Sequence, residues 1–437
     1  MKKLICIVLS LVMAIALCVA PTTACAEVSE FVLKDCVENV KIESRAAFTQ
    51  RGLEVDFAGG GFSVSLDCEG DVELTIHWAG QKGRIGVIID DDFDNHSLVA
   101  VNAEGEQTVK IAEDLNKGVH KIEVTKQNSQ AFNQIVFKSL QFDGELLEKP
   151  KSKDFKIQFI GDSYSCGVGS DPEHGNVSGF SDVYYHSYNM YCARKLGAEI
   201  STCAIPGYGY YVGAVRGVSE NMYDYLDKAT VLQDIAYDNS QYIADVVVIE
   251  LGINDQNYSL NNKIIVEDRE AYASVQRYID KIRSFNKDCY IVLMGYAKDI
   301  NSRSSGKYFK LSKAVKRTVA VNEKVYYAEP TPISTTGIGY HPNVKEAKTL
   351  GEGLAKYITE SVLSGKESPD AIEPKDFYLN NDVNGDDLVN ATDVLYMRNM
   401  LVKKLKNVDL VYYDVNYDDK SDVKDLLDLR MKLAELI

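Results

Sequence analysis

The sequence predicts a multidomain fold: an antiparallel β-sandwich of jelly-roll type, an α/β domain built on a parallel sheet, and a small all-α calcium-binding module. Three observations predict it. Short strand-like runs broken by Gly, Asn and Asp fill the first third, and strand and helix patterns alternate from about residue 150. One acidic twelve-residue pattern then occurs twice near the C-terminus, starting at Asp382 and again at Asp414. A chain of 437 residues exceeds what one core holds, and its length fits about three domains.

Residues 1–26 stand apart from the fold. Lys2 and Lys3 precede an apolar run over 4–20, and Ala24-Cys25-Ala26 supplies a small-residue cleavage site, so this segment reads as a secretory signal peptide and the protein as secreted. A lipid anchor on Cys18 or Cys25 is the alternative, although neither has the aliphatic-then-small residues before it. No other run is long and apolar enough to span a membrane, which predicts a mature protein with no membrane partner. The formal charge of −16 argues against nucleic acid and anionic lipid as partners. Cys36, Cys68, Cys166, Cys192, Cys203 and Cys289 remain after the signal, too sparse for a disulfide scaffold and without C-x-x-C metal spacing. They read as buried small hydrophobes, with a Cys36–Cys68 bridge left open.

Residues 27–149 carry the sandwich. Val72, Leu74, Ile76 and Trp78 alternate with polar residues, and 86–90 and 121–125 run or alternate for strand lengths with turn residues about every ten positions. Asp90, Asp91, Asp92 and Asp94 read as a solvated turn, and His77, His96 and His120 as surface or structural residues.

Residues 150–365 switch to alternating strands and helices. Strands are expected at 155–160, 199–205, 245–251, 289–294 and 325–328, and helices at 184–196, 267–285, 308–321 and 343–363. Such alternation implies a parallel sheet covered on both faces, with catalytic groups at the carboxyl ends of the strands.

Four short blocks fall at those ends. Gly161-Asp162-Ser163-Tyr164 places a serine at a strand-to-helix turn, exposed and with its own N–H free to face an oxyanion. Ile205-Pro206-Gly207-Tyr208 and Gly252-Ile253-Asn254-Asp255 end the next two strands and offer a glycine N–H and a carboxamide, the donor types a tetrahedral oxyanion needs. His341-Pro342 opens the last helix, and histidine is the side chain poised near neutral pH to take a serine proton. His174 and His186 read as pocket rim, and Asp162 as a brace for the serine turn. Tyr340 is a candidate sugar platform, since pyranose faces stack on aromatics, and Tyr208 a weaker one.

Together these blocks resemble the SGNH, or GDSL-like, hydrolases, whose four naming residues match Ser163, Gly207, Asn254 and His341. The resemblance implies a flavodoxin-like three-layer α/β domain. It also implies Ser163 as nucleophile, His341 as base, and Ser163, Gly207 and Asn254 as oxyanion donors, with no cofactor for catalysis. The β-rich front segment, with Gly118-Val119-His120-Lys121-Ile122, Lys126 and Phe142-Asp143-Gly144, is similar to that of carbohydrate esterase family 2. That family implies removal of O-acetyl groups from plant polysaccharides such as acetylxylan or acetylglucomannan. One departure stands out: the aspartate usual two or three residues before the histidine is replaced by Gly339 and Ile338. A backbone carbonyl then orients the ring, or Glu329 reaches it, or the site is inactive and the chain a glycan-binding module. Another ester-cleaving SGNH activity, a lipase or a pectin deacetylase, is the further alternative.

A linker at 366–377 leads to the repeated module at 378–437. Its loops place oxygen side chains at positions 1, 3, 5, 9 and 12: Asp382, Asn384, Asp386, Asn390 and Asp393, then Asp414, Asn416, Asp418, Asp422 and Asp425. Each loop precedes one apolar-periodic helix and not the helix pair of an EF-hand. This layout resembles a dockerin, which implies two structural Ca²⁺ ions and a cohesin on a scaffold protein as partner, hence a place in a cellulosome.

Overall fold

The computed structural model describes residues 28–80, 82–129, 133–174, 180–213, 220–263, 266, 268–295, 314–315, 318–319, 322–366, 390–403 and 422–435. The signal segment, His174's side chain, most of the linker and loop residues 382–386 and 414–418 lie outside the described residues.

The front domain is one antiparallel sheet bent around its own core. Its strands are β1 (Ser29–Val32), β2 (Lys41–Glu43), β3 (Ala47–Thr49), β4 (Gly52–Val55), β5 (Gly61–Ala79), β6 (Gly83–Ile89), β7 (Ser97–Val101), β8 (Gly105–Lys126) and β9 (Gln134–Leu146). They pair in the order β3-β4-β9-β5-β8-β6-β7, with β1 on β9 and β2 on β5. The sequence predicts short strands with turn residues about every ten positions, yet β5 and β8 run for 19 and 22 residues and carry Gly70 and Gly118 inside them, at φ +85° and +157°. The β5 ladders change register between Cys68 and Glu73, so these glycines serve bulges that bend the strands where a turn would end them. Phe62, Val64 and Leu66 before the bulge and Leu74, Ile76 and Trp78 after it thus line the same core. All six described cysteines are free, so Cys36 and Cys68 form no bridge.

The second domain holds five parallel strands in the order β11-β10-β12-β13-β14. They are β10 (Lys156–Gly161), β11 (Glu199–Ala204), β12 (Val246–Glu250), β13 (Tyr290–Met294) and β14 (Val325–Ala328). Helices α1 (Tyr188–Leu196) and α4 (Val344–Tyr357) cover one face through Tyr188, Cys192, Leu350 and Leu354. Helix α3 (Asp268–Phe285) covers the other through Val275, Ile279 and Ile282. The helix expected over 184–196 is interrupted at Ser187, whose ψ of 155° is extended. The sequence reading missed α2 (Ile253–Asn262), because INDQNYSLNN is mostly polar and its inward face is Asp255, Gln256 and Ser259. Asn343 caps α4 with a reciprocal box to Glu346, worth about 1 kcal/mol, and so fixes the start of the helix two residues after His341.

The two domains share buried polar contacts. Arg45 leaves the sandwich to donate to the carbonyls of Leu226 and Lys228, both at 2.8 Å, and lies 4.2 Å over the Tyr237 ring. Ser44 pairs with the backbone of Thr202 in both directions, and Asp56 accepts from the N–H groups of Val231 and Leu232. Ala58 and Ile88 of the sandwich pack with Val183, Tyr184 and Tyr185 in one cluster.

Near the C-terminus, α5 (Ala391–Lys403) and α6 (Val423–Glu435) pack through Met397 and Leu429, which are equivalent residues of the two repeats.

Candidate active site

Ser163 and His341 meet at the carboxyl edge of the parallel sheet. Ser163 follows β10 directly, and His341 sits between a short 3₁₀ turn, Ile338–Tyr340, and α4. His341 Nε2 lies 2.8 Å from Ser163 Oγ, the contact a base needs to take the hydroxyl proton. The other ring nitrogen, Nδ1, lies 3.0 Å from the carbonyl oxygen of Ile338. That bond fixes the tautomer, with the proton on Nδ1 and the lone pair of Nε2 facing the serine.

A local reversal of the chain aims this carbonyl. Gly339 and Tyr340 are consecutive left-handed residues, at φ +66° and +64°. Glycine adopts that conformation freely, whereas a tyrosine there costs roughly 1–2 kcal/mol. The turn is held by Gly337 N–H on the His341 carbonyl at 2.8 Å and by the Tyr164 hydroxyl on the Tyr340 carbonyl at 3.4 Å. The Tyr164 ring also meets the imidazole edge to face, 5.5 Å between centroids. Burial lowers the His341 pKa below its ordinary value, while the Ile338 carbonyl and the Asp182 charge act in the opposite sense.

Glu329 does not reach the ring. Its Oε2 accepts from the Tyr327 hydroxyl at 2.6 Å. Glu329→Gln should therefore leave turnover nearly unchanged in a steady-state assay; a loss of several powers of ten with the fold intact would put Glu329 in a triad.

The N–H groups of Ser163 and Gly207 donate to no acceptor among the described residues. Gly207 sits at φ +83°, a left-handed conformation that glycine adopts freely. Asn254 is placed differently from a free donor: Nδ2 donates to Asp162 Oδ2 and to the Tyr208 carbonyl, both at 2.9 Å. An oxyanion would compete with Asp162 for one of these bonds. Tyr208, expected as a sugar platform, is 1 % exposed with its ring edge-on to Tyr225, so it has no face to offer a glycan. Tyr340 is 75 % exposed beside His341. His186 is half-buried, and its desolvation together with His96 pushes its pKa down to about 4.

Behind the serine lie three buried carboxyls, of which the sequence reading weighed only Asp162. Burial pushes Asp162 up to about 7 and Asp255 up to about 6. Glu250, the last residue of β12, is raised well above the ordinary range by burial and by the Asp162 charge beside it. Its Oε2 meets no hydrogen-bond partner among the described residues, which together with the Asp162 charge beside it disfavours ionisation of Glu250. Asp255 accepts from the N–H groups of Tyr210, Tyr211 and Val212 at 2.7–3.0 Å, which pins the loop that carries Gly207. An acid ending an otherwise apolar strand was the available signal for Glu250.

In the C-terminal module the two repeats have the same local geometry. Asp393 Oδ2 accepts from Asn390 N–H and Asp425 Oδ2 from Asp422 N–H, each at 2.7 Å. The position-9 side chains accept from Thr392 and Lys424 N–H, again at 2.7 Å. Asp393 and Asp425 are buried carboxylates, the ligand type a hard cation takes. Asp90 and Asp91 bond to His120 and Lys121 of the adjacent strand β8, and Asp92 accepts from Asn95 N–H within the turn.

Three family models match the chain in succession. Residues 159–345 match the GDSL-like lipase/acylhydrolase family, residues 43–150 the carbohydrate esterase 2 N-terminal domain, and residues 380–434 the dockerin type I domain. The central domain is thus a GDSL-like acylhydrolase. With its front segment it belongs to carbohydrate esterase family 2, and a type I dockerin, a calcium-binding module, follows.

Among curated proteins, the chain is 26% identical over 318 residues to a cellulase/esterase, CelE, of Acetivibrio thermocellus, covering 69% of this chain and 37% of that protein. It is also 26% identical over 206 residues to an acetylxylan esterase/glucomannan deacetylase of Cellvibrio japonicus, covering 45% of this chain and 55% of that one. The chain therefore spans about a third to a half of the curated relatives it matches. A solved family two carbohydrate esterase from Cellvibrio japonicus superposes with a TM-score of 0.67 at 19% identity, covering 76% of this chain and 98% of that one. An acetyl xylan esterase from Butyrivibrio proteoclasticus gives 0.64 at 17% identity, with the same coverage of both chains. These likenesses establish the shared fold.

Proposed function

We propose that this chain is a secreted, cellulosome-borne carbohydrate esterase that removes O-acetyl groups from plant cell-wall polysaccharides, with acetylxylan and acetylglucomannan as the substrate class. The observation that carries the reading is the 2.8 Å contact of Ser163 Oγ with His341 Nε2, on a ring whose Nδ1 is engaged by the Ile338 carbonyl. The activities of the curated relatives support the substrate class. The apolar leader and the dockerin support export and attachment to a cohesin.

In this mechanism Ser163 Oγ attacks the acetyl carbonyl carbon while its proton passes to His341 Nε2. The tetrahedral oxyanion is held by the N–H groups of Ser163 and Gly207, with Asn254 turning one N–H from Asp162 toward it. The C–O bond to the sugar then breaks, and His341 returns its proton to the departing sugar oxygen. Water next attacks the acetyl-serine with His341 as base, acetate leaves, and the proton returns to Ser163. The ester, water and the two side chains supply every atom transferred. Tyr340, exposed beside the pair, is the residue we assign to stack on the glycan.

Acetate release from acetylated xylan and glucomannan is the direct assay. Asn254→Ala should reduce turnover roughly 10²–10³-fold with little change in KM, the usual effect of losing one oxyanion donor. Unchanged turnover in that variant would leave the hole to the two backbone amides.

A further inference from the structure

The sandwich domain is wired to the catalytic histidine by an unbroken chain of hydrogen bonds. Ser129, which follows β8 in the sandwich, donates its hydroxyl to Asp182 Oδ2. Gly169 N–H donates to Asp182 Oδ1 at 3.0 Å. Ile338 N–H donates to the Gly169 carbonyl at 3.0 Å, and the Ile338 carbonyl in turn accepts from His341 Nδ1 at 3.0 Å. Four bonds thus run from one domain through a buried carboxylate to the ring.

We propose that Asp182 is a positioning residue for His341 and takes, at one remove, the place of the carboxylate missing before the histidine. The proposal rests on the Ser163–His341 reading and deepens it. An adjacent carboxylate would do two things: fix the direction of the ring and favour the imidazolium that forms during the reaction. Here the first task falls to the Ile338 carbonyl, which is only as well placed as the turn that carries it. That turn is seated on Gly169, at φ +63°, where a Cβ would come within 2.4 Å of the Ile338 oxygen. A Cβ on Gly337 would likewise come within 2.8 Å of the Gly169 oxygen, so the two segments touch with no slack. Asp182 anchors the Gly169 side of this contact, with the Ser181 hydroxyl as a further donor at 3.3 Å.

The second task falls to the Asp182 charge. It raises the proton affinity of His341 against the lowering effect of burial. The other groups facing the ring are the hydroxyl of Ser163, Tyr164 and the exposed Tyr340 of its own turn. Facing Asp182 are Lys126, whose ammonium is bonded to the carbonyls of Asp56 and Asn128, and the buried thiol of Cys166. None of these supplies a second negative charge that would substitute for Asp182 if its charge were removed.

The test reads the histidine directly. In a Ser163→Ala background of the full chain, the His341 imidazole is titrated by NMR. Asp182→Asn keeps an acceptor for Gly169 N–H but removes the charge, and should move the His341 midpoint to lower pH. In the active chain the same substitution should lower kcat by about 10–10²-fold, the cost of a small misplacement, with KM nearly unchanged. The acidic limb of the pH–rate profile should move in the same direction as the titration. Ser129→Ala should shift both readouts the same way but less, with the thermal transition retained. An unmoved His341 titration in Asp182→Asn overturns the proposal, and if that variant fails to fold, an unmoved titration in Ser129→Ala does so. Should the wild-type chain release no acetate, the esterase reading fails while the titration still decides whether the relay exists.

Discussion

Ser163→Ala should abolish acetate release, a loss of about 10⁶-fold in kcat, while the circular dichroism and melting of the protein stay as they were. The size follows from the role: without Oγ no acyl-enzyme forms, and what remains is the acceleration that the oxyanion donors and glycan binding give to direct attack by water. The fold should tolerate the change because the lost atom makes one contact of consequence, to a half-buried His341. His341→Ala should be comparably severe, since nucleophile and base act as one unit and their losses do not add. Full activity in Ser163→Ala would remove the serine mechanism, and with it the assignment of His341.

Chelation of calcium should abolish cohesin binding and leave ester hydrolysis intact. Among the described residues the core of the C-terminal module is Met397 and Leu429 with a few flanking side chains, and Asp393 and Asp425 are buried carboxylates. Such a module draws its stability from the cation, and without it the carboxylates repel one another and the helices lose their common packing. Calorimetry of the full chain should then show one transition that disappears in chelator and another that does not. Titration of the chelated chain with Ca²⁺ should restore cohesin binding with about two ions per chain, one for each loop. Cohesin binding that survives chelation would sink this account. The repeats differ at positions that flank each helix start, Ala391-Thr392 against Val423-Lys424, which favours one preferred partner face.

The residues of the site were largely legible in the sequence, and the missing aspartate already pointed to a carbonyl on the histidine; which residue supplies that carbonyl was not legible. Serine, histidine and asparagine announce themselves because G-D-S, H-P and G-x-N-D fall at the ends of apolar strand runs, and the structure brings Ser163, His341 and Asn254 to one edge of the sheet. The orienting group on His341 is a carbonyl, which every residue possesses, so nothing at Ile338 marks it. Tyr208 misled for a related reason. Its place after Gly207 suggests the pocket, but its ring turns inward and only its carbonyl faces Asn254. Glu250 went unnoticed because an acid at the end of a strand usually marks the return to solvent.

The same distinction holds for the fold. The alternating strands and helices of the second domain were readable because each buries a periodic apolar face. Helix α2 was not, since its buried face is polar and its place is set by Asp255 bonding to the 210–212 backbone. In the sandwich, the expected short strands prove longer, because the positive φ at Gly70 and Gly118 bends strands that tertiary pairing carries onward.

Arg45 has a consequence for how the chain comes apart. A guanidinium from the sandwich is sealed among carbonyls of the next domain, with Ser44 and Asp56 bonded across the same boundary. Parting the two bodies intact would break those bonds together and expose the shared cluster of Ala58, Ile88, Val183, Tyr184 and Tyr185 to water. Sandwich and hydrolase should accordingly melt as a single cooperative unit, and a chain cut after Lys149 should yield two insoluble halves in place of two modules. The topology has a seam there, but the free energy does not.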